Sequence, residues 1–265
     1  MRYLNSLFWG SILIILGVLF TLKTAGYITG DVLGWFWPIF LMLLGVWIIS
    51  GRWTRTWGFS SEGTPFAIDL QGAKQARIKF NHGAGQLEIG SGAHSGQLLS
   101  GTSGLGLNYS SELSGDILET HVEAGPTFIP FIGPSSGVWR FQLNRDVQLS
   151  LIFEVGACNL TADLTDLMVT YAQLKTGASD SRLNLPERAG NTIVDIEAGA
   201  ASMDICIPPT VAARIRVKEG ISSLNIDPVR FSRMDGGVYQ SSGYDTSTNR
   251  AEININVGVG KIEIH

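Results

Sequence analysis

The sequence predicts an N-terminal α-helical transmembrane hairpin followed by an all-β domain, built as a β-solenoid (a stacked β-helix) with glycine at its corners. Two apolar segments without a charged residue lie within the first 50 residues (4–22 and 32–50). From residue 66 onward, short alternating apolar runs are separated by Gly, Asn, Asp, Ser and Pro, which is typical of β-strands. A glycine-centred unit also recurs six times in this second part.

Each apolar segment is long enough to cross a hydrocarbon core of about 30 Å as a helix that rises about 1.5 Å per residue. The connection Lys23–Asp31 is short, so the two helices are expected to run antiparallel. A signal peptide is the alternative for the first segment, but signal sequences have apolar runs of only about 7–15 residues, and here a second span follows at once. We therefore predict an anchor over residues 1–57, a linker over 58–65 and a β-domain over 66–265.

The charges that flank the hairpin predict its orientation. Arg2, Arg52 and Arg55 lie outside the two apolar segments, whereas the connecting segment carries Lys23 and Asp31. Because cytoplasmic flanks carry the excess of Lys and Arg, both ends of the hairpin, and with them the β-domain, are expected in the cytoplasm.

The overall charge argues against a nucleic-acid partner. The chain has 19 basic and 23 acidic residues, which gives a net charge of −4. Four basic residues and one acidic residue precede residue 60, so the remainder carries 15 basic and 22 acidic residues and a net charge of −7. A weakly acidic domain without a basic cluster is not typical of nucleic-acid-binding proteins.

The recurring unit consists of two apolar half-strands around a pivotal glycine, as in VDIEAGAASMDICIP (194–208). Val194 and Ile196 precede Gly199 at odd offsets, whereas Met203 and Ile205 follow it at even offsets. Side chains alternate with a period of two along a strand, so this change of phase predicts a bend or bulge at the glycine, which tolerates unusual dihedral angles. The pivotal glycines are Gly83, Gly156, Gly177, Gly199, Gly220 and Gly258.

The four central glycines are 21 or 22 residues apart, which predicts one solenoid coil per unit, stacked on the previous coil. Stacking in chain order would place opposite charges side by side on neighbouring coils. The ladder positions are Glu154, Lys175, Glu197 and Lys218, then Asp195 and Arg216, and finally Arg182 and Asp204. Residues 90–145, which we expect to form longer antiparallel strands, and residues 228–250 interrupt the repeat as insertions.

Both parts of the chain resemble a known family. The segments WGSILIILGVLFTLKTAGYI and WFWPIFLMLLGVWII are similar to the short transmembrane module of LiaF-type bacterial envelope-stress proteins. The segments LTADLTDLMVTYAQLKTGASDSRLNLP, GAASMDICIPPTVAARIRV and INVGVGKIEI resemble the "toast-rack" β-domain that follows it. The resemblance implies a membrane-bound regulator of a stress-sensing two-component system, with a sensor kinase as partner. The anchor has two predicted spans, whereas better-studied relatives have more, and the family supplies no catalytic residues.

The sequence offers no motif for enzymatic chemistry, and we expect neither a cofactor nor a metal. The segment HGAGQLEIG (82–90) lacks both the GxGxxG spacing and the helix of a phosphate-binding loop. No histidine pair has the spacing of a zinc site, and the two cysteines form no CxxC motif. Cys158 lies two residues after a pivotal glycine, where we expect it to point inward and to be structural rather than reactive.

Two segments are candidate interaction surfaces. The first is the apolar, proline-containing stretch Phe128, Ile129, Pro130, Phe131 and Ile132, which could contact the bilayer or a partner, or cap the solenoid. The second lies in the later insertion, which could equally be a solvated hairpin; its candidate residues are Arg230, Phe231, Arg233 and Tyr239.

The leading functional hypothesis is a non-enzymatic, membrane-anchored regulator or scaffold of the cell envelope that acts through protein–protein contacts. Its expected partners are the lipid bilayer and a membrane protein such as a sensor kinase, or a second copy of the chain. The alternative is an outward-facing, adhesin-like or self-assembling β-solenoid, which requires the opposite membrane orientation. An enzyme with its site in a solenoid groove would require clustered carboxylates with shifted pKa values.

Overall fold

The computed structural model describes Thr21 and residues 64–103, 107–124 and 138–265. The chain divides into two units, Met1–Ser60 and Ser61–His265. Apart from Thr21, the two predicted transmembrane spans lie outside the described residues. Within the described part of the chain, no helix has the length and apolar character needed to cross a bilayer.

The described part of the second unit is all-β, as the sequence predicts. Its strands belong to one sheet, and a single turn of 3₁₀ helix, Asp235–Gly237, lies between the eleventh and twelfth strands. The strands are β1 (Thr64–Asp69), β2 (Gln75–Ser91), β3 (Gln97–Ser103), β4 (Leu107–Ser114), β5 (Ile117–Ala124), β6 (Val138–Leu143), β7 (Gln148–Asp163), β8 (Met168–Asn184), β9 (Asn191–Cys206), β10 (Ala212–Ile226), β11 (Phe231–Arg233), β12 (Val238–Ser241) and β13 (Arg250–Ile264).

Six long parallel strands form the body of the domain, in the spatial order β2, β7, β8, β9, β13, β10. Their pivotal glycines share one column, because the pairs on either side of each glycine are in register. Val155 pairs with Thr176 and Ala157 with Ala178, for example, so that the glycines between them are neighbours. The same register continues through β2 and β9 to β13 and β10. All six pivotal glycines therefore lie side by side across the six strands.

Each long strand folds back on itself at its glycine. In β9, Val194 and Ile196 are buried before the glycine, and Met203 and Ile205 are buried after it, which is the predicted change of phase. A straight strand of this length would span roughly 50 Å. The start of β8 lies beside the start of β7. However, the segment that connects the end of β7 to the start of β8 is only Leu164–Leu167. Such a segment reaches at most about 18 Å, so each strand and its turn form one flattened coil.

The order of the coils differs from the predicted chain order, because β13 lies between β9 and β10. Glu197 and Lys218 consequently each neighbour Asn256 instead of each other. Asp195 and Arg216 are likewise separated by Asn254. These two predicted ion pairs are wrong.

Two of the predicted ladder pairs form, and two other ladder residues pair with different partners. Arg182 and Asp204 make an ion pair at 3.0 Å, and Lys175 lies 3.9 Å from Glu197. Glu154 pairs at 2.8 Å with Lys79 of β2. Arg216 pairs with Glu252 of the intervening strand β13. The charge ladder is real, but β2 and β13 supply partners that the predicted order omitted.

The first insertion contains a coil that the repeat analysis missed. Strands β5 and β6 pair in parallel with the first and second halves of β2, as the two halves of a neighbouring coil would. Residues 125–137, which follow β5 in the sequence and contain the first candidate surface, lie outside the described residues. The predicted antiparallel pairing is present on the outer sides of these strands, where β4 pairs with β5 and β3 pairs with β6.

The apolar core lies between the two halves of the coils. Near β2 it contains stacked phenylalanines: Phe80 packs against Phe141 on one side and Phe153 on the other, with ring centroids 5.5 and 5.3 Å apart. At the opposite end, the hairpin of β11 and β12 pairs with the first half of β10 and covers the core there.

Candidate binding groove

An open groove of about 600 Å³ lies over the glycine column, across the coils of β7, β8, β9 and β13. Glycines and small residues provide its floor, and polar side chains two residues before each glycine provide one wall. The lining residues are Glu154, Val155, Lys175, Thr176, Gly177, Glu197, Ala198, Gly199, Asn256 and Gly258.

Close approach between coils explains why this column is glycine. A Cβ at Gly156 would lie well under 3.0 Å from the carbonyl oxygen of Gly83, a separation that Cβ atoms essentially never show. A Cβ at Gly258 would lie 2.7 Å from the carbonyl oxygen of Gly199. The sequence predicts unusual dihedral angles at the six pivotal glycines, but none of them has a positive φ. Gly156, Gly199, Gly220 and Gly258 are thus required by neighbouring backbone rather than by their own dihedral angles, whereas Gly83, at the end of the column, has open space beside it.

The wall of the groove carries alternating charge. The register places Glu154, Lys175, Glu197 and Asn256 on successive coils. Successive parallel strands are about 4.8 Å apart, so the wall presents negative, positive, negative and neutral side chains at that interval. Because these side chains are partly or fully exposed, the ion pairs Glu154–Lys79 and Lys175–Glu197 contribute at most about 1 kcal/mol each. An incoming charged group can therefore replace these pairs at little cost.

A hydrogen-bonded cluster sits beside this wall. The Tyr171 hydroxyl donates to Asp195 at 3.1 Å, and the Asn254 amide donates to the same carboxylate at 2.9 Å. Burial, followed by this hydrogen bond, raises the pKa of Tyr171. A tyrosine that keeps its proton and donates to a carboxylate fixes the position of neighbouring coils, and it is unsuited to act as a base.

The groove is lined by exposed charged and amide side chains beside glycines. Among the described residues, no group of three or more His, Cys, Asp or Glu side chains could hold a metal ion. Both cysteines are free, and Cys158 is buried as predicted. Burial raises the pKa of the Cys158 thiol to about 11, so it stays protonated and unreactive near neutral pH.

The residues predicted as an interaction surface in the second insertion separate into two groups. Phe231 is only 1% exposed, so its predicted role on an interaction surface is wrong: the ring closes the end of the core. Arg230 is half-buried and donates to the main-chain carbonyl oxygens of Ile207, Pro208 and Val211. Arg233 is exposed beside the half-buried ring of Tyr239, 5.9 Å away.

The other predicted surface, residues 128–132, lies outside the described residues.

The groove itself was not predicted. The sequence identifies the pivotal glycines and the charged positions beside them, but both were interpreted as structural. The signal that could have revealed the groove is their combination, because a column of residues without side chains beside a column of long polar ones leaves a trough along the stack.

Comparison with protein families gives a match over residues 59–206, more than half of the chain, to the N-terminal domain of toast_rack, DUF2154. The chain belongs to the toast_rack family. A second match, to the LiaI-LiaF-like transmembrane region, covers residues 7–49. The predicted resemblance to a LiaF-type toast-rack membrane protein is thereby confirmed. The toast-rack match includes the groove from Glu154 to Gly199.

Solved structures also resemble the toast-rack domain. A candidate cell adhesion protein from Clostridium sporogenes shares 20% sequence identity with a TM-score of 0.67, over 76% of this chain and 97% of that chain. At this identity the likeness supports the fold alone. A candidate adhesin from Bacteroides fragilis matches with a TM-score of 0.26 and 10% identity, over 78% of this chain and 100% of that one, which is too low to support an argument. No curated protein matches the sequence significantly.

Proposed function

We propose that this toast-rack protein is a non-enzymatic regulator or scaffold of the bacterial cell envelope, which binds a protein partner in the groove over its glycine column. The observation that carries the proposal is a groove with a wall of alternating charge, on a toast-rack domain that shares its chain with a LiaI-LiaF-like transmembrane region. A membrane sensor kinase is the partner that the family resemblance favours.

The alternating wall suggests the kind of segment that fits. Glu154, Lys175 and Glu197 would complement an extended polypeptide that carries basic, acidic and basic side chains in turn. Recognition by exposed charges mainly affects specificity and association rate, and weakens with salt. Such binding suits a regulator that must release its partner when conditions change.

The proposal can be tested with two matched lysine variants in the full-length protein. Lys175 lies in the groove, whereas Lys261 lies in the second half of β13, outside the groove lining. Both are exposed and each forms one ion pair, so Lys175→Glu and Lys261→Glu remove comparable surface contacts. In membranes treated with a crosslinker, we expect an adduct with a second membrane protein that is lost at least about tenfold in Lys175→Glu only. Equal adduct yields in both variants, or no such adduct in the unaltered protein, would contradict the proposal.

We also propose that two spans cross the membrane and that the toast-rack domain faces the cytoplasm. The support is the excess of arginine outside the two apolar segments. A reporter enzyme that is active only outside the cytoplasm, fused after His265, should be inactive. An active reporter would instead favour the adhesin-like or self-assembling alternative, which needs an outward-facing domain.

A further inference from the structure

Strand β4 is an outer strand of the sheet. It pairs antiparallel with β5 over its whole length, and no other described strand pairs with it. Exposed sheet edges are usually blocked by proline or by several charges. The other outer strand at this end, β1, contains Pro65, but β4 contains no proline and carries one charge, Glu112. Among the described strands, none pairs with its second edge.

The core-side face of β4 is apolar and uncovered by the described residues. Tyr109 pairs with Val122 and Leu113 pairs with Leu118 of the adjacent strand. Val122 and Leu118 are fully buried, but Tyr109 is 53% exposed and Leu113 is 43% exposed. The hydrophobic rows that begin in the core thus continue onto β4 and end there in solvent.

We propose that β4 pairs antiparallel with β4 of a second copy of this chain, with the two-fold axis through Ser111. Tyr109 would then lie opposite Leu113 of the partner subunit, and Leu113 opposite the partner's Tyr109. Each apolar row would run unbroken from buried Leu118 through Leu113 to the partner's Tyr109. Ser111, which contacts the Thr120 hydroxyl at 3.1 Å, would occupy a central row of hydroxyl groups.

The sequence of β4 favours this register over its neighbours. With the axis through Ser110, Tyr109 would lie opposite a serine, and with the axis through Glu112, two carboxylates would lie directly opposite each other, which is destabilising. A shift by one residue would put Tyr109 on the face of the partner's Glu112. With the axis through Ser111, Glu112 lies opposite the partner's Ser110, a hydrogen-bond donor.

The backbone permits the pairing. In an antiparallel ladder, opposed residues alternate between hydrogen-bonded and non-hydrogen-bonded pairs. A two-fold axis can pass through either kind of residue pair. The two copies of β4 can therefore pair symmetrically whether the Ser111 amide points toward β5 or toward the partner subunit. The product is an isologous dimer with a continuous β5–β4–β4–β5 sheet. Eight residues per copy make a small, weak interface, and confinement of both copies to one membrane raises their effective concentration.

A cysteine on the axis tests the dimer in the full-length protein in its membrane. In a Cys206→Ser background, Ser111→Cys should give a covalent dimer with a short bismaleimide. The matched control is Ser114→Cys on the same strand, because the two copies of residue 114 would be roughly 20 Å apart. We expect at least tenfold less crosslinking in this control, and a similar loss when Tyr109→Lys is combined with Ser111→Cys.

Circular dichroism should show that Tyr109→Lys, an exposed substitution, leaves the fold intact. Equal crosslinking at positions 111 and 114 would indicate random collision and overturn the proposal. So would undiminished crosslinking with Tyr109→Lys, or an adduct of Ser111→Cys with a different protein and no homodimer. Lys175→Glu should leave the dimer unchanged, so failure of the groove proposal and failure of this one can be told apart.

Discussion

Replacing Gly156 by alanine is expected to destabilise the toast-rack domain by about 3 kcal/mol, at the upper end for overpacking. The added methyl would overlap the carbonyl oxygen of Gly83. A flexible side chain could turn away from such a group, but this one is backbone held by the pairs on either side of both glycines. The coils would have to separate locally, which weakens the ladder between β2 and β7.

Gly83→Ala is the matched control for this prediction. Gly83 ends the glycine column, and a Cβ added there would meet nothing within 4 Å. Its φ also lies outside the left-handed region. The expected change is within about 0.5 kcal/mol. Urea unfolding of the full-length protein in detergent, followed by the β-sheet circular dichroism signal, measures both. Equal shifts of the urea midpoint would show that close approach between coils does not select glycine.

The same geometry predicts an order along the column. Alanine at Gly258 or Gly199 would place its Cβ 2.7 or 2.8 Å from a neighbouring carbonyl oxygen, whereas at Gly177 the separation is 3.2 Å. Gly177→Ala should therefore cost less than either of the other two. The sequence pattern alone could not supply this order, because it marks all six glycines as equivalent.

The glycine column and its register could be predicted because they depend on local patterning. A strand whose buried positions shift from odd to even offsets must bend at that point, and strands with identical patterns stack in identical register. The stacking order of the coils could not be predicted in this way. Exposed ion pairs contribute only tenths of a kcal/mol, so the predicted ladder could not determine the order of the coils.

Burial of apolar side chains accounts for the observed order. The core-side residues of β13 include Ile253, Ile255 and Ile262, which are fully or almost fully buried between β9 and β10. In β10, at the end of the stack, Leu224 and Ile226 are only partly buried. Placing this strand inside the stack removes its isoleucine side chains from water.

The role of the candidate interaction residues also depends on where the fold places them. An apolar residue next to arginine in an insertion has the appearance of a contact for a partner, and Phe231 was predicted as one. In the fold, that insertion lies at the end of a stack whose core needs a cover, so Phe231 is buried and Arg230 binds the carbonyl oxygens beneath it. The coil of β5 and β6 was not predicted for a different reason: its two half-strands are separated by residues 125–137, whereas the two halves of every other coil are adjacent in the sequence.

Phe80→Ala should be among the most destabilising core substitutions, at about 3–5 kcal/mol. The ring is fully buried and lies between those of Phe141 and Phe153, nearly parallel to both, with interplanar angles of 18° and 8°. Truncation leaves a cavity between two coils and removes two aromatic contacts, each worth about 0.5–1.5 kcal/mol beyond area burial. Phe80→Leu keeps most of the volume and should cost much less, about 1.5 kcal/mol.

Phe66→Ala provides the comparison that separates stacking from the mere presence of an aromatic ring. Phe66 contacts Phe141 edge-on at 5.1 Å but is only partly buried, in β1 at the edge of the sheet. Truncation of Phe66 leaves a space that is open to solvent. It should lower the free energy of unfolding by less than half as much as Phe80→Ala. Urea midpoints of the three variants provide the measurement. If Phe66→Ala proved as destabilising as Phe80→Ala, then the stack around Phe80 would not be the centre of the core, and the end formed by β1, β3 and β6 would hold the coils together instead.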